Sequence, residues 1–405
     1  MDNGMSKKAT WKNCKVLPNK ILKYLQSISK LGKDGEVSFL SQPDNFFLPE
    51  KNLLTEFLKI ERADETTISN SVKSALDSCI INNNISAGYF LDKVNEELDK
   101  RISNISPKYL LTTLSLKHTS KLKPIDIFES SIKFYKNKFP RKFAQYRKNL
   151  LDKNNLSDHE RYIKCIVTTN TYSNDIEVHM SNLNILRAIL CLSINEGFNI
   201  SFGKEKNPLN EIRFGEAHSL HHQNGEPVIP YPWYEPEFVI AFTMPEIELD
   251  RKFIKSIINK ISSSKYANLL KDTLIIYVKA LDESDHNLAI TLLWNSIDKL
   301  LNKSKGNYNE ISNRVKKIFG HDSRFIDIVE GVKFIRNAYV HDAISNQQSK
   351  YYCLALRVLF KKIFIFHLDF FSKDLSLDEA LEVIDLLDKP ILTRKALEIR
   401  NRLNS

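Results

Sequence analysis

From residue 251 onward the apolar residues of this 405-residue chain fall three and four apart almost without a break, a periodicity that only packed helices satisfy. Candidate helices span 252–263, 266–280, 287–302, 309–319, 323–339 and 350–371, with two shorter ones closing the chain. The longest apolar run, 351–371, has the length of a bilayer span. Arg357, Lys361, Lys362 and His367 interrupt it, however, and charges near the centre of a span are costly. It reads as the buried helix of a bundle, and no membrane partner is expected. Gly320 is placed to stop one helix and Asp322 to cap the next.

The first 250 residues read differently. Residues 1–156 form a mostly helical N-terminal region, with apolar spacing at 52–60, 67–81 and 88–102. Residues 157–250 form a small mixed α/β module. Its candidate strands are 162–169, 199–202, 212–214 and 237–242, and a helix over 182–195 is capped by Ser181 and stopped by Gly197. The proline-rich 230–236 reads as an ordered loop. The fold class is therefore mainly α, with a helical bundle over 251–405 as the third region.

The chain carries a formal net charge of +10, which favours an anionic partner, and nucleic acid leads among the candidates. Cations interleave with aromatic residues over 133–148, a pattern that suits single-stranded RNA, where charges follow phosphates and rings stack on bases. Lys136, Lys138, Arg141, Lys142, Arg147 and Lys148 are the candidate RNA contacts. The competing reading is a solvated helix whose aromatics face the core. Five widely spaced cysteines without a C-x-x-C pair point to neither a disulfide framework nor a zinc site. Nor does the N-terminus carry the apolar stretch of a secretion signal, so a cytoplasmic location is expected.

The chemistry concentrates in Phe334-Ile335-Arg336-Asn337-Ala338-Tyr339-Val340-His341. Arginine offers a permanent charge in a planar fork that matches phosphate oxygens, and histidine exchanges a proton near neutral pH. Residues five apart on an unbroken helix differ by about 140° in direction, so Arg336 and His341 converge only if the helix ends between them or a second chain completes the site. The turn formers after His341 favour an ending. The same Arg-to-His spacing recurs at Arg213 and His218, and in a longer form at Arg314 and His321. Only Arg336 is followed by Asn and led into by an amphipathic helix.

This stretch resembles the HEPN superfamily, whose nuclease members carry Arg, four to six residues and then His, often with Asn directly after the Arg. The flanking Leu-Leu-Trp-Asn-Ser-Ile-Asp-Lys-Leu-Leu at 292–301 and the apolar helix that follows look like the Apea-like branch of bacterial anti-phage proteins. The likeness covers roughly residues 260–375. It implies a HEPN-like bundle acting as a homodimer. The implied activity is a metal-independent RNA endonuclease with catalytic Arg336, His341 and Asn337 and no cofactor. It further implies a toxin-like effector of defence, abortive infection included, set off by a phage-derived trigger or a protein regulator. One departure is Ala343, which stands where HEPN toxins controlled by AMP addition carry Tyr.

The rival expectation is a non-catalytic HEPN-type protein that dimerises or binds RNA while its N-terminal region senses a partner. Arg336 or His341 turning into the core would favour it. A third site is conceivable at His218-Ser219-Leu220-His221-His222, where a strand would put His218 and His222 on one face and His221 on the other. No Cys or carboxylate stands at an obvious ligand spacing, so packing is the preferred role there.

Overall fold

The computed structural model describes residues 9–12, 18–32, 34, 36–39, 54–59, 65–103, 106–117, 123–171, 175–194, 207–235, 238–241, 251–303, 308–320, 323–342, 349–371 and 373–388. The protein is mainly α-helical with one six-stranded sheet. It divides into two compact units, Met1–Pro107 with Asn170–Asp175, and Lys108–Thr169 with Ile176–Ser405. Among the described residues no helix is long and apolar enough to cross a membrane.

The first unit holds β1 (Thr10–Trp11), α1 (Pro18–Ser27), β2 (Ser29–Leu31), β3 (Val37–Phe39), β4 (Leu58–Lys59), α2 (Glu65–Ile81) and α3 (Ala87–Ser103). β1 pairs with β4 and β2 with β3, both antiparallel. The helices expected at 67–81 and 88–102 are α2 and α3. Of the one expected at 52–60, the described residues are helical at 54–56 and run into β4. Leu22, Leu25, Leu54, Val72, Leu76, Phe90 and Val94 close a core of their own.

The second unit is built on the sheet, whose strands run in the order β10-β9-β5-β8-β7-β6. They are β5 (Ser106–Leu114), β6 (Ile125–Ile127), β7 (Ser130–Tyr135), β8 (Ile163–Thr171), β9 (Ala217–His221) and β10 (Trp233–Tyr234). The register sets Leu110 opposite Leu220 and Ile132 opposite Val167. On one face α4 (Arg141–Asp152) packs Phe143 against Leu111 and Ile166, with Phe139 beside them. The other face is covered by α5 (Ile176–Ile194).

Several expectations are corrected here. Half of the sheet comes from 106–135, inside the region read as helical, because β5 is buried on both faces and so shows no alternation in its sequence. The helix α5 begins at Ile176, so Ser181 is interior and its Oγ donates to the Glu177 carbonyl instead of capping. The loop at 230–236 contains β10, and 212–214 contributes only a bridge from Phe214 to Leu114. The strand at 199–202, the stop at Gly197 and the cap at Asp322 lie outside the described residues; of the strand expected at 237–242, residues 238–241 are described and are not in a strand.

The helices that follow are α6 (Arg251–Ser262), α7 (Ala267–Asp282), α8 (His286–Leu301), α9 (Tyr308–Phe319), α10 (Ser323–Asp342), α11 (Ser349–Phe370) and α12 (Leu377–Asp385). Gly320 ends α9 with φ +62°, the left-handed conformation that glycine adopts without penalty. α8 packs between α7 and α11, and α7 lies against α5. One core runs from Leu110, Ile132 and Val167 of the sheet through Ile189 of α5 to Leu293, Leu359 and Phe360 of the bundle. Within it Tyr277 stacks on Phe360 at 4.4 Å between ring centres. The module expected at 157–250 and the bundle expected at 251–405 thus share a single apolar interior.

Candidate functional site

Helix α10 carries the Arg–Asn–His stretch in its last two turns. Phe325, Val329, Val332 and Ile335 bury one side of it against the bundle. Asp327, Glu330 and Phe334 line the exposed side. The helix does not end between Arg336 and His341 but continues through Asp342, which corrects the expected break. Helical geometry therefore sets their positions about 140° apart around the axis and about 7.5 Å apart along it.

The two positions consequently belong to different sides of α10. Arg336 follows Val329 by seven residues and Val332 by four, so it continues the inward stripe; it is half-buried, and its Nε is shielded from solvent. His341 follows Phe334 by seven and so occupies a position on the outward stripe, with the half-buried Asn337 at its flank. Between them Tyr339 donates to Asp285 Oδ2 at 3.2 Å, fastening the end of α10 to the residue that caps α8. Burial alone would raise the Asp285 carboxyl, but hydrogen bonds from Asn287 and Tyr339 overrule it and hold the group below the usual carboxylate range.

The two other Arg–His spacings serve the fold. Arg213 donates to three backbone carbonyls, those of Asn210, Pro208 and Val239, at 2.7 to 3.3 Å. Its companion His218 is fully buried. Arg314 pairs with Asp385 at 2.8 Å and donates to the Leu301 carbonyl at 2.6 Å, clamping α9 to α12. His321 lies outside the described residues.

The basic stretch divides between a strand end, a loop and α4. Lys136, Lys138, Arg141, Lys142 and Lys148 are exposed, and Tyr146 is exposed among them. Lys138 and Lys148 border a groove shared with Asp158, Glu160 and Lys164. Arg147 stands at the floor of that groove but is not one of the exposed cations. It is 1% exposed and donates to Asp158 at 2.6 Å, to the carbonyls of Leu111 and Ala217 at 2.9 Å and to Ser219 Oγ at 2.6 Å. The donors of its fork are thus committed to the sheet and to Asp158.

Sequence reasoning missed this polar interior because its partners are far apart in the chain. On the α4 side of the sheet Arg147 donates to Ser219, Ser219 donates to His221 Nε2 at 2.8 Å, and His221 Nδ1 donates to the Gly225 carbonyl at 2.8 Å. Gly225 has φ +99°, and a Cβ there would meet the Lys142 carbonyl, so only glycine closes this turn. On the opposite side Thr112 donates to His218 Nδ1 at 2.6 Å, and His218 Nε2 donates to Glu235 at 2.9 Å. Arg187 anchors that side, paired with Asp282 at 2.7 Å and lying over the Phe214 ring at 3.8 Å. Both ring nitrogens of His218 and of His221 are thus engaged inside the protein. Among the described residues no group of three or more His, Cys, Asp or Glu could hold a metal ion.

These histidines make stability pH-dependent. Burial lowers His218 and pushes His221 down to about 4; His367, buried against Tyr266 in the bundle, is likewise lowered to about 4. An unfolded histidine takes a proton near pH 6.5, so the unfolded chain binds more protons than the folded one between about 6.5 and about 4. Stability should therefore fall on acidification through that window, by about 2 kcal/mol each for His221 and His367 between pH 7 and pH 5. Urea unfolding at the two pH values measures this; an unchanged midpoint would contradict neutral buried histidines.

No protein-family model matches the chain, and no curated protein or solved structure matches it either.

Proposed function

We propose that the chain is a HEPN-type endoribonuclease that cuts RNA without a metal ion, using Arg336, Asn337 and His341. The observation that carries this reading is the position of the stretch: Arg336, Asn337 and His341 fall in the last two turns of a long helix that also carries the exposed Phe334. In the reaction the ribose 2′-hydroxyl attacks the adjacent phosphorus and the bond to the 5′-oxygen breaks, leaving a 2′,3′-cyclic phosphate and a 5′-hydroxyl. His341 moves one of the two protons, as general base to the 2′-hydroxyl or as general acid to the departing 5′-oxygen, and solvent exchanges the other. Arg336 neutralises the charge that gathers on the non-bridging oxygens, and the Asn337 amide orients the phosphate or ribose.

The divergence of Arg336 and His341 on one helix motivates a second copy. A two-fold axis brings identical surfaces together, so Arg336 of one copy and His341 of another line one cleft. The exposed Lys136, Lys138, Arg141, Lys142 and Lys148 attract the RNA backbone from outside that cleft. The biological setting we assign is a toxin-like effector in anti-phage defence. Incubation of the purified chain with total RNA in excess EDTA tests the reading. Cleavage with cyclic-phosphate ends is expected, and cleavage that disappears with EDTA would overturn it.

One observation favours a second reading. Arg336 lies on the inward stripe of α10 with its Nε shielded, as it would in a HEPN-type bundle that pairs with itself or binds RNA without cutting it. That reading expects RNA binding with no cyclic-phosphate product at any protein concentration.

A further inference from the structure

We propose that Phe334 is the platform on which the base beside the scissile phosphate stacks, so that the substrate is RNA with an unpaired nucleotide at the cut. The inference rests on the ribonuclease reading and names the substrate of that same site. Phe334 is 76% exposed, the most exposed large apolar side chain among the described residues. A lone exposed apolar residue is ordinary, but this one has a particular address. It shares the outward stripe of α10 with the position of His341, two turns on, and Asn337 lies one turn on. The rise from Phe334 to His341 is about 10 Å, on the order of one nucleotide from its ring to its phosphate.

The charges on that stripe give the substrate a direction. Asp327 and Glu330 are both exposed and stand on the same side of α10, on the turns before Phe334, with Glu330 held toward α9 by Ser312 Oγ at 2.9 Å. They repel phosphates, so the RNA backbone leaves Phe334 toward Asn337 and His341 and not toward the start of the helix. Phe334 therefore ends the site and receives one base. A base inside a duplex has both faces covered by its neighbours and offers none to the ring, so an unpaired nucleotide is selected by stacking alone.

The test uses the full chain carrying His341→Ala, so that RNA is bound and not consumed, with Phe334 kept or changed to Ala, Leu or Trp. Fluorescence anisotropy follows a labelled single-stranded oligonucleotide and a blunt duplex of the same composition. Phe334→Ala and Phe334→Leu are expected to weaken single-strand binding by about 5- to 100-fold, Phe334→Trp to keep or tighten it, and duplex binding to stay unchanged. Leucine binding as well as phenylalanine, or all variants binding alike, overturns stacking. So does a change of mass in light scattering on Phe334→Ala, which would make this residue a contact between copies. If the wild-type chain cuts RNA in EDTA while the Phe334 variants bind normally, the ribonuclease reading stands and this inference falls. If the wild type neither binds nor cuts RNA, both fall together.

Discussion

Alanine at His341, or at Arg336, is expected to reduce RNA cleavage by about a thousandfold, the scale on which a proton-transfer group or a transition-state charge clamp acts. Thermal unfolding should be nearly unchanged for His341→Ala, which separates lost chemistry from lost fold. Arg336 sits on the inward stripe of α10, so its alanine variant needs the same control with more care. Mixing the two inactive variants under subunit exchange provides the sharper result. If the residues act from different chains, half of the sites in a mixed dimer lack both residues and the other half are intact. Activity should then return toward a fraction of wild type. No recovery, together with a strictly monomeric chain that cuts RNA at full rate, would remove the shared site.

The second large effect concerns Arg147, which its sequence context assigns to RNA and its surroundings assign to the fold. Arg147→Ala strands the half-buried Asp158 carboxylate, two carbonyls and Ser219 without their donor. Removing one partner of a buried ion pair costs about 3–5 kcal/mol, so this variant should unfold well before wild type in urea. Arg147→Lys keeps the charge but cannot reach four acceptors from a single ammonium, and should recover only part of the loss. Lys138→Ala and Lys148→Ala, both exposed, are expected to leave stability within about 0.5 kcal/mol of wild type. An Arg147→Ala chain of normal stability and reduced RNA affinity would return this residue to the binding surface.

The helices of 251–371 were legible because an amphipathic helix writes its buried side into the spacing of its residues. Observed ends such as Ser349–Phe370 fall within a residue or two of those read from the pattern, except that α10 extends three residues further, through Asp342. Strand β5 was not legible, since Tyr-Leu-Leu-Thr-Thr-Leu buried on both faces has no period to detect. Strand β7 was hidden differently. Its Lys133 points outward between Ile132 and Phe134, and the lysines that follow made the whole stretch look like one basic helix. Within the candidate site, the composition of the Arg–Asn–His stretch was visible in sequence. The continuity of the helix through it was not, because turn formers just beyond a helix end resemble turn formers that cause one. The buried assembly around Ser219 and His221 was beyond reach, as Arg147 lies 70 and 72 residues from its partners on β9.

The single interior shared by sheet and bundle sets what can be exchanged between relatives of this chain. A crossover at residue 250 would set Ile189 and Val167 of one parent against the other parent's counterparts of Leu293 and Phe360, so the shared interior would be packed from unmatched halves. Such a chimera should aggregate however well its two parents behave. The first unit closes on a core of its own around Leu22, Val72 and Phe90. Inheritance must therefore carry the sheet and the bundle as one block.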